Sequence, residues 1–258
     1  YSFADLGRLK NLLLEYRAGM ESSIVQNGHR LAISMASRNF SLSSALSEIW
    51  HGIHQIKFIK ELAEDLTEER LESISKNLSE ISRTVFTKNN MKIAIVGEEN
   101  PLSEGEKRAS ELYKSLGDGD GAGFGEPNLS LSDSVPREGW STSSAVSFVA
   151  RSFETVRFGH PDAPAMSVVA KLLRSLYLHR EIREKGGAYG GFSIYSPEDG
   201  QFCMASYRDP HLAGTLRVYE NAFEFVRSGK FTDEDVKEAI LQVCSEIDKP
   251  DPPGVAAR

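Results

Sequence analysis

The 258-residue sequence has only two cysteines, Cys203 and Cys244, at no metal-ligand spacing. One such pair cannot staple a fold of this size, so a reduced, intracellular compartment is expected. No stretch approaches the ~18 consecutive apolar residues of a membrane span. The N-terminal "YSFADLGRLKNLLLEY" lacks the basic start, short apolar core and small-residue cleavage site of a secretory signal. No H-E-x-x-H or H-x-x-E-H occurs, no serine sits in a nucleophile elbow, and neither cysteine has a histidine nearby in sequence. A positive excess is also missing. The net charge of −7 argues against nucleic acid as the main partner, because a phosphate-binding surface needs a basic field.

What is present describes a globular protein, with 40% hydrophobic and 26% charged residues. Both ends look cut: a helix begins almost at residue 1, and "DKPDPPGVAAR" reads as a loop. A piece of a longer polypeptide is expected. Leu9, Leu12, Leu13, Tyr16 and Met20 recur at helical steps. So do Leu46, Ile49, Ile53, Ile56, Ile59 and Leu62, and then Leu71, Ile74, Leu78, Ile81 and Val85. The alternating "MKIAIVGE" (91–98) predicts a strand, and 103–116 a further helix.

"GDGDGAGFGEPNLSLSDSVPR" (117–137) is rich in Gly, Ser and Pro and reads as a linker. Asp118, Asp120 and Gly123 imitate the start of a calcium loop, but Ala122 and Leu129 stand where its fifth and twelfth ligands belong. The division expected is 1–116, the last part of a helix-rich α/β unit; 117–138, a linker; and 139–258, a second, truncated α/β unit. In the second unit, 141–156 suits a strand, 161–185 a long helix, and 188–195 and 201–207 a strand pair around "SPEDG". Two helices follow, with Pro210 in the first turn of one and Thr232 starting the other. The class is α+β, with mostly antiparallel strands and helices over one face.

His51 and His54 are three apart on one predicted helix, but "WHGIHQIKF" offers no carboxylate in register. Two partly buried histidines beside a core stripe are expected there. "HREIREKGGAYGGF" (179–192) is more informative. At 100° per residue, Arg183 falls on the line of Leu172 and Leu176 and extends the buried stripe. His179, Arg180 and Lys185 suit the helix dipole instead. Gly186 and Gly187 stop the helix, one of them with positive φ. Strand alternation then places Ala188, Gly190, Phe192 and Ile194 beneath helices, and Tyr189, Gly191, Ser193 and Tyr195 on an open polar face. Arg183 and Tyr189 form a candidate functional pair.

These residues resemble a known family. "REKGGAYGGF" is similar to the R-x-x-G-G-A-Y-G signature in the C-terminal half of presequence-protease-type zinc metallopeptidases, of the pitrilysin/insulinase superfamily. "SYRDPHLAGTLRVYENAFEF", "SSIVQNGHRLAISMAS" and "EIDKPDPP" resemble it too. The resemblance implies four related α/β units, in two halves that close around a peptide chamber. It puts the zinc and its H-x-x-E-H motif in the N-terminal half, outside this sequence. It also implies catalytic roles for Arg183 and Tyr189, and substrate-side positions for Gly186, Gly187, Ala188, Gly190 and Arg208. Asp209 would cap the helix behind Pro210.

The expected partners are unstructured peptides and the N-terminal half of the same polypeptide, with no nucleic acid and no membrane. The expected location is the cytoplasm, or an organelle matrix if a leader precedes the sequence. A competing reading is a non-catalytic scaffold of the same fold. An intact Arg183/Tyr189 pair favours the enzyme.

Overall fold

A computed structural model describes residues 3–119 and 137–256, together with 125, 128, 129 and 131. Most of the glycine-rich segment, including Asp120, Ala122 and Gly123, lies outside the described residues. In chain order the helices are α1 (Leu6–Ser37), α2 (Leu42–His51), α3 (Ile53–Leu62), α4 (Glu68–Val85) and α5 (Glu99–Ser115). Strand β1 (Ala150–Glu154) precedes α6 (Ala163–Leu172), which continues as a π-wound segment, Leu173–Glu184. Then come β2 (Gly190–Ser196), β3 (Gln201–Tyr207), α7 (Leu212–Ser228), α8 (Asp233–Ile247) and α9 (Pro253–Ala256).

The chain forms two compact units. One comprises Tyr1–Tyr16, Leu62–Pro127 and Lys249–Arg258; the other Arg17–Glu61 and Asn128–Asp248. In the first, Leu9 of α1 is buried with Leu71 and Ile74 of α4, and Leu13 and Leu78 pack around them. These are the stripes that helical periodicity marked. The predicted strand at 91–98 does not form. It pairs with nothing among the described residues, and Ile93, Ile95 and Val96 are exposed. Alternation describes the side chains a strand would need, but a strand also requires a neighbour for its backbone bonds.

The second unit holds the sheet, an antiparallel set in the order β1-β3-β2. Gly190 faces Tyr207 and Ala150 faces Ala205 in the two registers. One face packs Phe202 and Met204 of β3 against Leu173, Tyr177, Leu178 and Ile182 of the long helix and Tyr219 of α7. Buried phenols are satisfied by carbonyls: Tyr219 donates to Val149 and Tyr177 to Val218, each at 3.0 Å. The other face meets α1, which thus adds a second helical cover to the one expected. His29 stacks on Phe192, and the Ser37 and Ser152 hydroxyls are 3.0 Å apart. A Cβ at Gly28 would collide with the Phe148 ring, so glycine there permits the close approach.

The apolar run 46–62 breaks into two helices at Gly52. The buried Glu48 carboxylate accepts from the Ile53 backbone N–H at 2.8 Å and caps α3. A Cβ at Gly52 would overlap that carboxylate. His51 and His54 are both exposed, unlike the partly buried pair expected, and the His54 Nδ1 lies 3.1 Å from Glu48 Oε1.

Asp199, in the β2–β3 turn, anchors α2. It accepts from Ser41 at 2.6 Å, Ser43 at 2.5 Å and Ser196 at 3.3 Å. Burial by itself would raise this carboxyl, but the three hydroxyls and the charge of Arg157 outweigh it and hold it below its ordinary value. A depressed folded pKa gives stability that is present above the unfolded value and lost as pH falls through the folded one. The denaturation midpoint should therefore drop below about pH 4. In Asp199→Asn that drop should be smaller, measured by urea titration at about pH 7 and about pH 3. An equal drop would remove Asp199 from the acid response.

Candidate functional site

The helix that leads to the site is α-wound to Leu172 and π-wound from Leu173 to Glu184. Bonding from i to i+5 makes residues four and five apart share a side. Leu173, Tyr177, Leu178 and Ile182 form the buried stripe. Arg174, Ser175, His179 and Arg183 form a second stripe that lines a cavity. This corrects the expectation for Arg183: it is exposed and does not extend the Leu172 line, because the slower winding changes the phase.

The helix ends at Gly186 and Gly187. The Gly187 N–H bonds to the Arg183 carbonyl at 3.0 Å and the Ala188 N–H to that of Ile182 at 3.1 Å, in the manner of a Schellman cap. Gly187 has φ +74°, whereas a Cβ at Gly186 would meet the Ile182 carbonyl at 2.5 Å. At Gly187 an added Cβ would come no nearer than 3.8 Å to Pro210 Cγ, so the left-handed backbone sets the cost. Gly187→Ala should destabilise the chain by about 1–2 kcal/mol in urea titration. No change would mean that the turn adopts another conformation.

Strand β2 then runs with the opposite facing to that expected. Gly191 and Ser193 are buried against the helix, where the Ser193 hydroxyl donates to the Ala170 carbonyl at 2.6 Å. A Cβ at Gly191 would lie 3.1 Å from the Leu178 carbonyl. Gly190, Phe192 and Ile194 turn to the α1 side, where Gly190 and Phe192 line the cavity. Simple alternation assigned the faces by side-chain size, but the closest helix packing selects the small residues.

Tyr189 lies just before β2, its N–H bonded to the Tyr207 carbonyl at 3.0 Å. Its side chain is 67% exposed and meets the Tyr207 ring edge-on, with centroids 5.5 Å apart. The cavity that Tyr189 and Arg183 share has a volume of about 470 Å³. Its floor is Gly190, Gly191 and Phe192, and α1 contributes Gln26 and His29. Of the other expected site residues, Ala188 is buried in the core, and Gly186 and Gly187 shape the turn without lining the cavity. Arg208, at φ 49°, is outside the lining, but its guanidinium lies 5.4 Å from the ring of Tyr207, which belongs to it. Asp209 is fully buried. It accepts from the His211 N–H at 2.8 Å and the Thr215 hydroxyl at 2.6 Å, bracing the start of α7, although the capping position itself is His211.

Sequence reasoning passed over His179, Arg174, His29 and Tyr207. His179 was open to detection, since it is four residues before Arg183. Its Nε2 is 3.3 Å from Arg183 Nη1 and its Nδ1 3.3 Å from Glu184 Oε1. Guanidinium only donates, so the Nε2 atom accepts and the ring proton belongs on Nδ1, toward the carboxylate. Arg174 stands 5.6 Å from the Phe192 ring centre. Among the described residues no carboxylate lines the cavity, so two fixed cations set its field within a chain of net charge −7. Burial, and then the charge of Arg30, hold His29 below its ordinary pKa.

Residues 138–257 match the family model described as PreP C-terminal domain, and residues 1–62 match the model for the region associated with peptidase M16, subfamily C. A mitochondrial presequence protease of Danio rerio is 32% identical, over 96% of this chain and 26% of its own length. The chain belongs to the presequence-protease family. The counterpart from Yarrowia lipolytica is 28% identical over 96% of this chain and 25% of its own length. This family member thus spans about a quarter of those curated relatives. A peptidase M16 inactive domain from Pseudomonas fluorescens aligns over 98% of this chain and 58% of its own, at TM-score 0.50 and 17% identity. That likeness concerns the fold, α+β in both.

Proposed function

We propose that this chain is the C-terminal, substrate-binding part of a zinc metalloendopeptidase that degrades unstructured peptides in a closed chamber. The observation that carries the reading is the convergence of Arg183 and Tyr189 on one cationic, aromatic-walled cavity. The zinc implied by the family has no ligand set in this chain: no group of three or more His, Cys, Asp or Glu among the described residues could hold it. Its ligands would belong to the N-terminal part of the polypeptide, which is also this chain's main partner. When bound there, zinc would supply Lewis-acid polarisation of the scissile carbonyl.

This chain's own groups would act on the peptide. The Tyr189 phenol donates a hydrogen bond to the scissile carbonyl oxygen as it gains negative charge. The Arg183 guanidinium holds a neighbouring carbonyl or carboxylate with fixed N–H donors, and His179 sets its direction. Gly186 and Gly187 fix the angle between helix and strand. Gly190 leaves room for an extended chain, and Arg208 supports the wall through Tyr207. The relatives are mitochondrial by name, which favours an organelle matrix over the cytoplasm. No helix among the described residues is long and apolar enough to cross a membrane.

A non-catalytic scaffold of the same fold is the alternative; the Arg183–Tyr189 cavity argues against it, because a scaffold has no use for that pair. Arg183→Ala in the full-length protein should lower kcat/KM for an unstructured peptide roughly ten- to hundredfold, mainly through KM. Arg183 is exposed, so the fold should persist. Peptide turnover with unchanged KM would remove Arg183 from substrate binding.

A further inference from the structure

The ring of His29 has no place in the proposed chemistry, yet α1 carries it into the same cavity. Its Nδ1 is buried without a hydrogen-bond partner, an unusual state for a polar atom. Protonating the ring would leave a buried N–H unpaired, so the imidazole stays neutral and behaves as an aromatic wall. Its neighbours agree. Phe192 stacks on it with centroids 5.6 Å apart, and Tyr207 meets it edge-on at 4.7 Å. Together with Tyr189, edge-on to Tyr207, these rings line a cavity of about 470 Å³. That volume lies at the lower end of the range for small-ligand sites, about 300–1,000 Å³.

We infer that this cavity is a side-chain subsite for an aromatic or large apolar residue of the peptide, and that His29 is the residue that sets the preference. The inference rests on the peptidase reading and deepens it. Rings already arranged edge-on and stacked accept a further ring in the same geometry. The cations Arg174 and Arg183 stand beside them with no carboxylate among the described lining residues, placed for the carbonyl oxygens that flank such a side chain. A basic side chain finds no acid in that lining, which disfavours it. The subsite brings His29, from the matched N-terminal region, together with residues of the PreP C-terminal domain.

The test uses the full-length protein and a peptide series in which one position at a time carries Phe, Leu, Lys or Gly. Wild type should prefer Phe or Leu over Gly at one position, and His29→Ala should reduce that ratio about tenfold. His29→Phe should retain it, since the ring remains and the Nδ1 that is lost has no partner. A wild-type ratio in His29→Ala, or a loss in His29→Phe equal to that in His29→Ala, overturns the inference. A second readout needs no turnover: imidazole NMR signals of His29 in the 258-residue chain should shift with an acetylated Phe-containing pentapeptide and stay put with its Gly counterpart. If they shift while Arg183→Ala and Tyr189→Phe leave peptide turnover intact, the subsite stands and the catalytic reading falls. If those two variants fail as expected but His29 neither shifts nor sets preference, the reverse holds.

Discussion

Tyr189→Phe in the full-length protein should lower kcat for peptide hydrolysis by about 10²–10³-fold and leave KM nearly unchanged. The size is that of losing one donor to a developing oxyanion, ~3–4 kcal/mol of transition-state stabilisation. The split between kcat and KM follows because the bond strengthens only as charge builds on the carbonyl oxygen. The substitution removes one oxygen and keeps the ring, so the edge-on contact with Tyr207 survives. Tyr189 is 67% exposed, and its backbone bond to Tyr207 does not depend on the side chain. A folding defect is therefore not expected. If kcat falls less than about threefold, the phenol is not an oxyanion donor, and the cavity would serve binding alone.

Leu178→Ala should destabilise the chain by about 3–5 kcal/mol, read from urea denaturation. Leu178 is wholly buried, in the core with Leu173, Tyr177 and Ile182. Its surroundings cannot collapse easily into the space left, because Gly191 already brings β2 to the Leu178 backbone. Strand and helix meet at closest approach where Tyr189 and Arg183 leave them. Softening that contact should also loosen the pair, so activity in the full-length protein should fall along with stability. A loss below about 1 kcal/mol would mean that this helix is not the platform of the site.

The sequence and the structure agree most where a feature is local. Helical stripes in α1 and α4 were visible because burial on one side imposes a period on the residues themselves. The stop at Gly186 and Gly187 was visible because φ +74° excludes almost everything but glycine. Thr232 opens α8 with a capping box to Asp235, again a matter of neighbouring residues. Disagreement begins where distant residues decide. Residues 91–98 have a strand's pattern but no partner among the described residues, and no pattern can supply one. The faces of β2 were exchanged because the helix packs on Gly191 and Ser193, which size alone would place outside.

Arg183 was chosen by a phase argument that the π-wound segment does not obey. It lies in the cavity for another reason, the spacing of Arg174, His179 and Arg183 under slower winding. The family resemblance named the residue independently of that argument. His29 is far along the chain from its neighbours in the cavity, Phe192 and Tyr207, and was legible only after the fold brought α1 across the sheet.

If the proposed function holds, a peptide lies against the surface formed by the π-wound helix, β2 and the end of β3. Photo-crosslinking reads that contact directly. Unstructured peptides carrying a benzophenone amino acid at successive positions are bound to full-length protein held inactive, irradiated, and mapped by mass spectrometry. Crosslinks are expected in 174–192 and at Tyr207, reduced by excess unlabelled peptide. Competed crosslinks found only elsewhere in the polypeptide would contradict that placement of the substrate.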